Sequence, residues 1–341
     1  MNLLIRADAN AQIGIGHVMR CLALAQAWQD AGGHATFVMA TEAAALEARL
    51  RSERMGIVYL STLPGGAKDA IQTRQLARQK DASWVVVDGY HFGGDYQQTI
   101  KDSVLRLLFV DDNGHAEYYF ADIVLNQNLH AHESMYVNRG SYPQLLLGSR
   151  YVLLRRDFLK WRGWKREIPE VARKILVTLG GGDPENQTLK VMQALQQVEV
   201  DGLEAVVVIG ASNPHFRELQ STIRNSQFAI RLAQNVSDMP DLMAWADIAI
   251  AAGGSTVWEL AFMGLPSLVL ILADNQRPVA NRLDSLGVSV NLGSHRKGSS
   301  AKITQAVTQL LEAPERRAEM AQQGRGLVDG RGVARVLESL I

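Results

Sequence analysis

The feature that most constrains the fold of this chain is a regular alternation of short apolar runs with helical patterns. Runs such as Asn2–Arg6, Trp84–Asp88 and Lys174–Leu179 are apolar on both faces and contain β-branched residues. Strands of that kind are typical of parallel sheets whose two faces are both covered by helices. The alternation therefore predicts an α/β chain built on parallel sheets.

The length of the chain and one interruption of the pattern predict two domains. At 341 residues the chain is roughly twice the usual domain size of about 150. The alternation breaks at residues 155–170, a charged segment that ends at Pro169, and then restarts. Each half begins with a strand, a glycine-rich turn and a helix, as expected of two similar α/β domains that face a cleft. We predict domains at 1–155 and 170–341, with the last helix packing back on the N-terminal domain.

Charge and cysteine content argue against several classes of function. The 35 basic and 35 acidic residues cancel, so no overall attraction to nucleic acid or anionic membrane is expected. A local basic cluster lies between Arg155 and Arg166, where a solvated connector is favoured over a nucleic-acid surface. The single cysteine, Cys21, excludes an internal disulfide and a cysteine-rich metal site, and its apolar neighbours favour buried packing.

The distribution of apolar residues predicts a cytoplasmic protein. Arg6 and Asp8 interrupt the apolar start, so no signal peptide is expected. The longest strongly apolar stretch, Ser267–Ala273, is too short to span a bilayer, which argues against stable membrane insertion. No oligomeric state can be read from the sequence.

The first glycine-rich turn, Gln12–Arg20, combines two glycines with a histidine. Gly14 and Gly16 let the backbone approach a ligand closely, and the next helix starts with its positive end at the turn. Arg20 lies where the dinucleotide fingerprint would be expected to have its third glycine, which disfavours a nicotinamide cofactor. His17 follows the first strand, where doubly wound sheets bind ligands, and an imidazole there can accept a proton from water or a hydroxyl.

The second glycine-rich turn, Leu179–Asn186, follows the first strand of the second half. The amides of Gly181 and Gly182 and a helix N-terminus would suit a diphosphate. Asp183 is expected to cap that helix, with Pro184–Glu185 in its first turn. An ordinary strand-to-helix turn is the alternative.

The third glycine-rich turn, residues 251–260, also joins a strand to a helix. Gly254, Ser255 and Thr256 offer amides and hydroxyls to phosphate oxygens. Glu259, one helical turn on, can accept two hydrogen bonds from vicinal ribose hydroxyls. An exposed helical glutamate is the alternative, but its apolar neighbours make an unpartnered carboxylate unfavourable there.

Several stretches, in order along nearly the whole chain, carry a family resemblance. They are Gly14–Ala25, Val87–Tyr90, Val110–Asp112, Asn126–Asn128, Tyr151–Arg155, Leu179–Asn186, Gly253–Glu259, Ala273–Gln276 and Asp329–Val336. Together they resemble the GT-B superfamily of nucleotide-sugar enzymes related to the N-acetylglucosaminyltransferase of lipid II synthesis. Within it, the stretches most resemble the UDP-2,4-diacetamido-2,4,6-trideoxy-β-L-altropyranose hydrolases of pseudaminic acid biosynthesis. The resemblance implies a GT-B-like α/β fold with two Rossmann-like domains whose parallel sheets face a central cleft.

The same resemblance implies roles for individual residues. His17 would be the catalytic base, Tyr90 a contact near the sugar, and Asn275 with Gln276 contacts to the sugar or the diphosphate. Glu259 and the glycine-rich turns would hold UDP. The predicted substrate-binding residues are Gly14, Gly16, Arg20, Tyr90, Gly181, Gly182, Gly254, Ser255, Thr256, Glu259, Asn275 and Gln276.

The resulting hypothesis is an enzyme that hydrolyses a UDP-sugar at the anomeric carbon, with inversion and without a cofactor. No D-x-D-type motif stands out, so a metal-free site is expected. One alternative is a GT-B glycosyltransferase, for which Leu46, Leu50 and nearby arginines suggest an acceptor surface. A non-catalytic UDP-sugar binding protein is the other. The choice of water as acceptor is implied by the resemblance alone.

Overall fold

A computed structural model describes residues 1–10, 14–140, 143–210, 213–224, 226, 228–234, 236–296 and 299–341. The chain divides into two compact units. Unit 1 comprises residues 1–156 and 330–341, and unit 2 comprises residues 157–329. The first predicted glycine-rich turn begins with Gln12 and Ile13, which lie outside the described residues.

Unit 1 contains a seven-stranded parallel sheet with the order β3-β2-β1-β4-β5-β6-β7. Its strands are β1 (Asn2–Ala7), β2 (His34–Met39), β3 (Gly56–Tyr59), β4 (Ala82–Asp88), β5 (Arg106–Val110), β6 (Ile123–Asn126) and β7 (Gln144–Leu147). The strand order reverses between β1 and β4, which creates the switch point at which open α/β sheets bind ligands.

Unit 2 contains a six-stranded parallel sheet with the order β10-β9-β8-β11-β12-β13. Its strands are β8 (Lys174–Thr178), β9 (Glu204–Ile209), β10 (Ala229–Gln234), β11 (Ile248–Ala252), β12 (Ser267–Ile271) and β13 (Ser289–Ser294). Here the order reverses between β8 and β11, so β8 occupies in unit 2 the position that β1 has in unit 1.

Helices connect the strands in both units. They are α1 (Gly16–Asp30), α2 (Ala44–Ser52), α3 (Ala67–Gln79), α4 (Gly94–Lys101), α5 (Arg156–Leu159), α6 (Gln187–Leu195), α7 (Phe216–Arg224), α8 (Met239–Trp245), α9 (Thr256–Phe262), α10 (Arg277–Ser285), α11 (Ser300–Leu311), α12 (Pro314–Leu327) and α13 (Gly332–Glu338). Among the described residues, no helix combines the length and apolarity that crossing a membrane requires.

Both faces of the unit 1 sheet are buried, which explains why its strands read as apolar on both sides. Leu3 and Ile5 of β1 pack in one apolar layer, with residues of α1. Leu4 packs in the opposite layer, with residues of α3 and α4. Alternate residues of a strand point to opposite faces, so a strand covered on both sides is apolar throughout.

The last helix, α13, packs within unit 1. Val336 lies in the same apolar layer as α1. The Trp84 indole donates a hydrogen bond to the Leu340 carbonyl at 2.8 Å. A Cβ on Gly332 would lie 2.2 Å from the Val152 oxygen, so only glycine allows this approach.

The basic segment after residue 155 was expected to be a solvated connector, and this expectation is wrong for part of it. Phe158 is fully buried. Arg166 donates to the backbone carbonyls of Gly264 at 3.0 Å and Met243 at 2.5 Å. Burial and the neighbouring Arg325 lower the pKa of Arg166 to about 10. Its guanidinium therefore joins elements of unit 2, because buried carbonyls need donors when water is absent.

Candidate functional site

His17 is the second residue of α1, just beyond the carboxyl end of β1, and it is 6% exposed. Gly14 precedes it with a φ of 73°, a conformation that glycine adopts without strain. Asp88 ends β4, the strand next to β1, and is paired in register with Ala7. These positions bring Nδ1 of His17 within 2.6 Å of Oδ1 of Asp88.

The Asp88 contact determines which nitrogen of His17 is available for chemistry. Burial opposes ionisation of Asp88, but Arg20 and His17 together hold its pKa well below the ordinary value. An ionised carboxylate only accepts hydrogen bonds, so Nδ1 of His17 carries the hydrogen. In the neutral ring the lone pair then lies on Nε2. A base held by a carboxylate in this way has a fixed tautomer and a fixed ring orientation.

Arg20 lies one helical turn after His17 and bridges two carboxylates. Its Nε and Nη2 each donate to Asp88 at 2.6 Å, and its Nη1 donates to Asp112 at 2.7 Å. Burial opposes the charge, yet Asp112 and Asp88 raise the pKa of Arg20 well above its usual value. The sequence places Arg20 among the substrate-binding residues. In the structure its guanidinium is buried and binds these two side chains.

Asp112 connects Arg20 to the Tyr90 ring, which lies beside His17. It follows β5 and accepts hydrogen bonds from the Tyr90 hydroxyl at 3.0 Å and from Nδ2 of Asn128 at 2.7 Å. The Tyr90 ring packs edge-on against His17, with 4.8 Å between ring centroids. Tyr90 is 40% exposed.

A second buried ionic cluster lies at the same edge of the unit 1 sheet. Arg6 is fully buried and donates to Asp69 at 2.9 Å and 2.7 Å, and it also contacts Asp8 at 2.8 Å. His91 contacts Asp8 at 3.2 Å. Burial opposes ionisation of Asp8, but His91 and Arg6 lower its pKa far below the ordinary value. This cluster ties α3 to β1.

In unit 2 the turn after β8 differs from the prediction. Asp183 and Asn186 both have positive φ values, of 41° and 51°, which keep the chain out of a helix until Gln187. Pro184 and Glu185 therefore precede α6 and do not form its first turn. The Asp183 carboxylate accepts hydrogen bonds from the amides of Gln187 and Thr188, each at 2.8 Å. The first amides of α6 thus already bind an anionic side chain.

The glycines of this turn lie against the end of β9. Gly180 has a φ of 95°, and a Cβ on Gly210 would lie 2.2 Å from the Gly181 oxygen. Gly181 and Gly182 are partly exposed at the carboxyl edge of the sheet.

The turn after β11 contacts the segment after β12. A Cβ on Gly253 would lie 3.0 Å from the Gln276 Cβ, so the two backbones approach closely. Gln276 accepts a hydrogen bond from the Leu272 amide at 2.9 Å through its Oε1. Its side-chain oxygen therefore stabilises the loop that presents Asn275, which is exposed.

The start of α9 lies beside that loop. Gly254, Ser255, Thr256 and Glu259 are all partly exposed. Ser255 makes no side-chain hydrogen bond that caps α9. The predicted residues of the third turn and of segment 273–276 thus share one edge of the unit 2 sheet, because β11 and β12 are neighbouring parallel strands.

Three residues of the unit 1 site were given no role by sequence reasoning, namely Asp88, Asp112 and Asn128. A signal for them was present, since each lies at or just beyond the end of β4, β5 or β6. Carboxyl ends of parallel strands meet at one edge, so polar residues at these positions are expected to lie together.

Comparisons with known proteins concern both parts of the chain. Residues 175–331 match the Glycosyltransferase family 28 C-terminal domain. The chain is 26% identical over 339 residues to the spore coat polysaccharide biosynthesis protein SpsG of Bacillus subtilis (strain 168), which covers 98% of this chain and 96% of SpsG. It is 25% identical over 296 residues to the UDP-2,4-diacetamido-2,4,6-trideoxy-beta-L-altropyranose hydrolase of Campylobacter jejuni, which covers 85% of this chain and 98% of the hydrolase.

The fold is also that of solved glycosyltransferases. The crystal structure of Acinetobacter baumannii MurG superposes with a TM-score of 0.68 at 16% identity, and the match covers 99% of each chain. The predicted α/β fold with two Rossmann-like domains of the GT-B type is confirmed.

Proposed function

We propose that this chain hydrolyses a UDP-2,4-diacetamido-2,4,6-trideoxyhexose, the β-L-altrose form, to UDP and the free sugar in pseudaminic acid biosynthesis. The observation that carries the proposal is the 2.6 Å bond from His17 Nδ1 to the buried Asp88 carboxylate. A histidine held in this way has Nε2 free to take a proton. The similarity to the Campylobacter jejuni hydrolase, over 85% of this chain, supports both the substrate and the reaction.

In the proposed reaction, His17 Nε2 takes a proton from a water molecule as the water oxygen attacks the anomeric carbon. The bond from that carbon to the β-phosphate oxygen breaks, and its electron pair leaves with UDP. A single displacement inverts the anomeric configuration. Asp88 stabilises the imidazolium that forms, and the proton then passes to solvent.

Unit 2 would bind the UDP group. The amides of Gly181 and Gly182 and the start of α9, with Gly254, Ser255 and Thr256, suit the diphosphate. Its developing charge needs several donors, because one helix terminus contributes only about 0.3–2 kcal/mol. We propose that Glu259 binds the ribose hydroxyls and that Asn275 contacts the sugar or the diphosphate. Gln276 would act by holding the Asn275 loop.

The second candidate function is transfer of the sugar to an acceptor hydroxyl. It is favoured by the match of residues 175–331 to the Glycosyltransferase family 28 C-terminal domain. The same nucleotide site and the same base would serve that reaction. The two functions differ in whether the group that His17 deprotonates belongs to water or to an acceptor.

The test is UDP release from a panel of UDP-amino sugars with no acceptor present. We expect turnover of the UDP-diacetamido-trideoxy sugar, and a product anomer of inverted configuration by ¹H NMR. His17→Asn should reduce kcat by about 10²–10⁴-fold, the usual contribution of a general base. UDP affinity, measured by calorimetry, should be unchanged in that variant.

Three outcomes would contradict parts of the proposal. UDP release that requires an added acceptor would establish transfer in place of hydrolysis. Tight binding of the sugar nucleotide without any turnover would indicate a binding protein. Substantial activity in both His17→Asn and His17→Ala would exclude His17 as the base.

A further inference from the structure

We propose that Asp112 is a positioning residue for the base, which holds Arg20 and Tyr90 around His17. Its carboxylate also gives the site a net negative charge, which the positive charge of a protonated His17 neutralises. The inference rests on the proposed role of His17. The residue acts through Arg20 and Tyr90, which contact His17.

The geometry supports this role, because three side chains from different elements converge on the Asp112 carboxylate. Arg20 from α1 donates at 2.7 Å, Asn128 from the end of β6 at 2.7 Å, and the Tyr90 hydroxyl at 3.0 Å. Two of these neighbours contact the base directly. Nη2 of Arg20 lies 3.2 Å from Nδ1 of His17, and the Tyr90 ring packs against the His17 ring. Asp112 therefore fixes two of the surfaces that enclose the imidazole.

The charges that surround His17 also support this role. Burial opposes ionisation of Asp112, and Arg20 nevertheless lowers its pKa. With Asp88 also ionised, two carboxylates face one guanidinium. The group carries one net negative charge while His17 is neutral. It becomes neutral when His17 takes a proton, so Asp112 favours the protonated product of the base step.

The other titratable groups around the site have their own contacts. Burial raises the pKa of the Cys21 thiol, which donates to Asp88 at 3.3 Å and stays neutral. His115 is paired with its own carboxylate, Asp111, at 3.1 Å. Nε2 of His130 lies 3.0 Å from the Asp112 backbone oxygen. The surplus negative charge of Asp88 and Asp112 therefore lies next to Arg20 and His17.

The decisive experiment measures His17 directly, by ¹⁵N NMR titration of the histidine rings in the full chain. The His17 signal is assigned as the one absent from His17→Asn. We expect Asp112→Asn to lower the pH midpoint of His17 protonation by about one unit, because a nearby unit negative charge is removed. Asp102→Asn, which removes an exposed carboxylate at the end of α4, should shift it by less than about 0.2 unit. An unchanged midpoint in Asp112→Asn would overturn the charge-balancing role.

Kinetics separate a positioning role from substrate binding. We expect Asp112→Asn to lower kcat by about 10–100-fold with KM changed by no more than about threefold. Asp112→Glu keeps the charge but displaces its partners, so it should leave the midpoint in place and still lower kcat. It also tests the positioning role if Asp112→Asn does not fold, as judged by thermal unfolding. A rise in KM with unchanged kcat in either variant would make Asp112 a substrate ligand and contradict the inference.

The titration also distinguishes this inference from the proposed function. If the wild-type chain releases no UDP from any sugar nucleotide, the proposed function fails, while the coupling of Asp112 to His17 is still measured. If the wild type is active and both Asp112 variants match it, the inference fails alone.

Discussion

The two units present the carboxyl edges of similar parallel sheets in contrasting ways. In unit 1 the edge carries charged side chains that bind one another, namely the buried Asp88 and Arg20 and the partly exposed Asp112. In unit 2 the edge carries glycines and side chains that are exposed or partly exposed, such as Ser255 and Asn275. A preorganised charged network suits a group that must react in one geometry, whereas open backbone groups suit a ligand that brings its own charge.

A second contrast lies within unit 2, between the starts of two helices. Asp183 accepts hydrogen bonds from the first amides of α6, so a negative charge already occupies that helix end. The start of α9 has no side-chain cap. Both follow glycine-rich turns that read alike in the sequence. We therefore propose that the diphosphate binds at Gly254–Thr256 and not at the start of α6.

The largest effect is expected from loss of the Asp88 carboxylate, which binds Nδ1 of His17. Asp88→Asn removes the charge that fixes the tautomer of His17, so the ring can place its hydrogen on Nε2 and lose its lone pair there. We expect kcat for UDP release to fall by about 10³-fold or more, with UDP affinity unchanged. A loss of less than about tenfold in a folded variant would show that His17 does not depend on Asp88.

The contrast in buried charge predicts that acid destabilises unit 1 before unit 2. Burial opposes ionisation of each carboxylate, but its partners lower the pKa in unit 1 at Asp8, Asp69, Asp88, Asp111 and Asp112. In unit 2 the pKa of Asp241 shifts the other way, raised by its hydrogen bond with Asp238. A carboxylate with a lowered folded pKa stabilises the fold above its unfolded pKa of about 3.9 and loses that contribution as the pH falls further.

Hydrogen exchange followed by mass spectrometry can measure this difference in the intact chain. Between about pH 5 and pH 3 we expect the opening free energy of β1 and β4 to fall by several kcal/mol, since each unit of pKa lowering is worth about 1.4 kcal/mol. That of β8 and β11 should change much less. Equal loss in both units would mean that the buried carboxylates of unit 1 do not control its acid stability.

An intermediate effect is expected from the open edge of unit 2. Glu259→Gln keeps the shape of the side chain but removes the charge that would bind two ribose hydroxyls. We expect KM for the UDP-sugar to rise by about 10–50-fold, since a hydrogen bond to a charged group is worth about 1.5–3 kcal/mol. The value of kcat should change little, in contrast to Asp88→Asn. Ser255→Ala is the matched control on the same helix start and should raise KM by less than about fivefold.

The contrast between the units also shows what the sequence reveals and what it does not. Strands such as β8, predicted at Lys174–Leu179 and found at Lys174–Thr178, follow from local apolar patterns. The bond between His17 and Asp88 joins residues 71 positions apart, so no local pattern contains it. It follows only when the neighbouring positions of β1 and β4 are known. The delayed start of α6 depends on left-handed residues at positions 183 and 186, which residue type alone does not specify.

The smallest effect concerns the two helix starts of unit 2 and depends on Asp183. Asp183→Ala removes the carboxylate that binds two amides of α6, so unit 2 should lose about 0.5–2 kcal/mol of stability in chemical denaturation. If the diphosphate binds at α9, calorimetry should show UDP affinity unchanged within about twofold. If it binds at α6, removing the competing carboxylate frees those amides and UDP should bind more tightly. Tighter binding would indicate that the diphosphate binds at the turn after β8. It would contradict the proposed difference between the starts of α6 and α9.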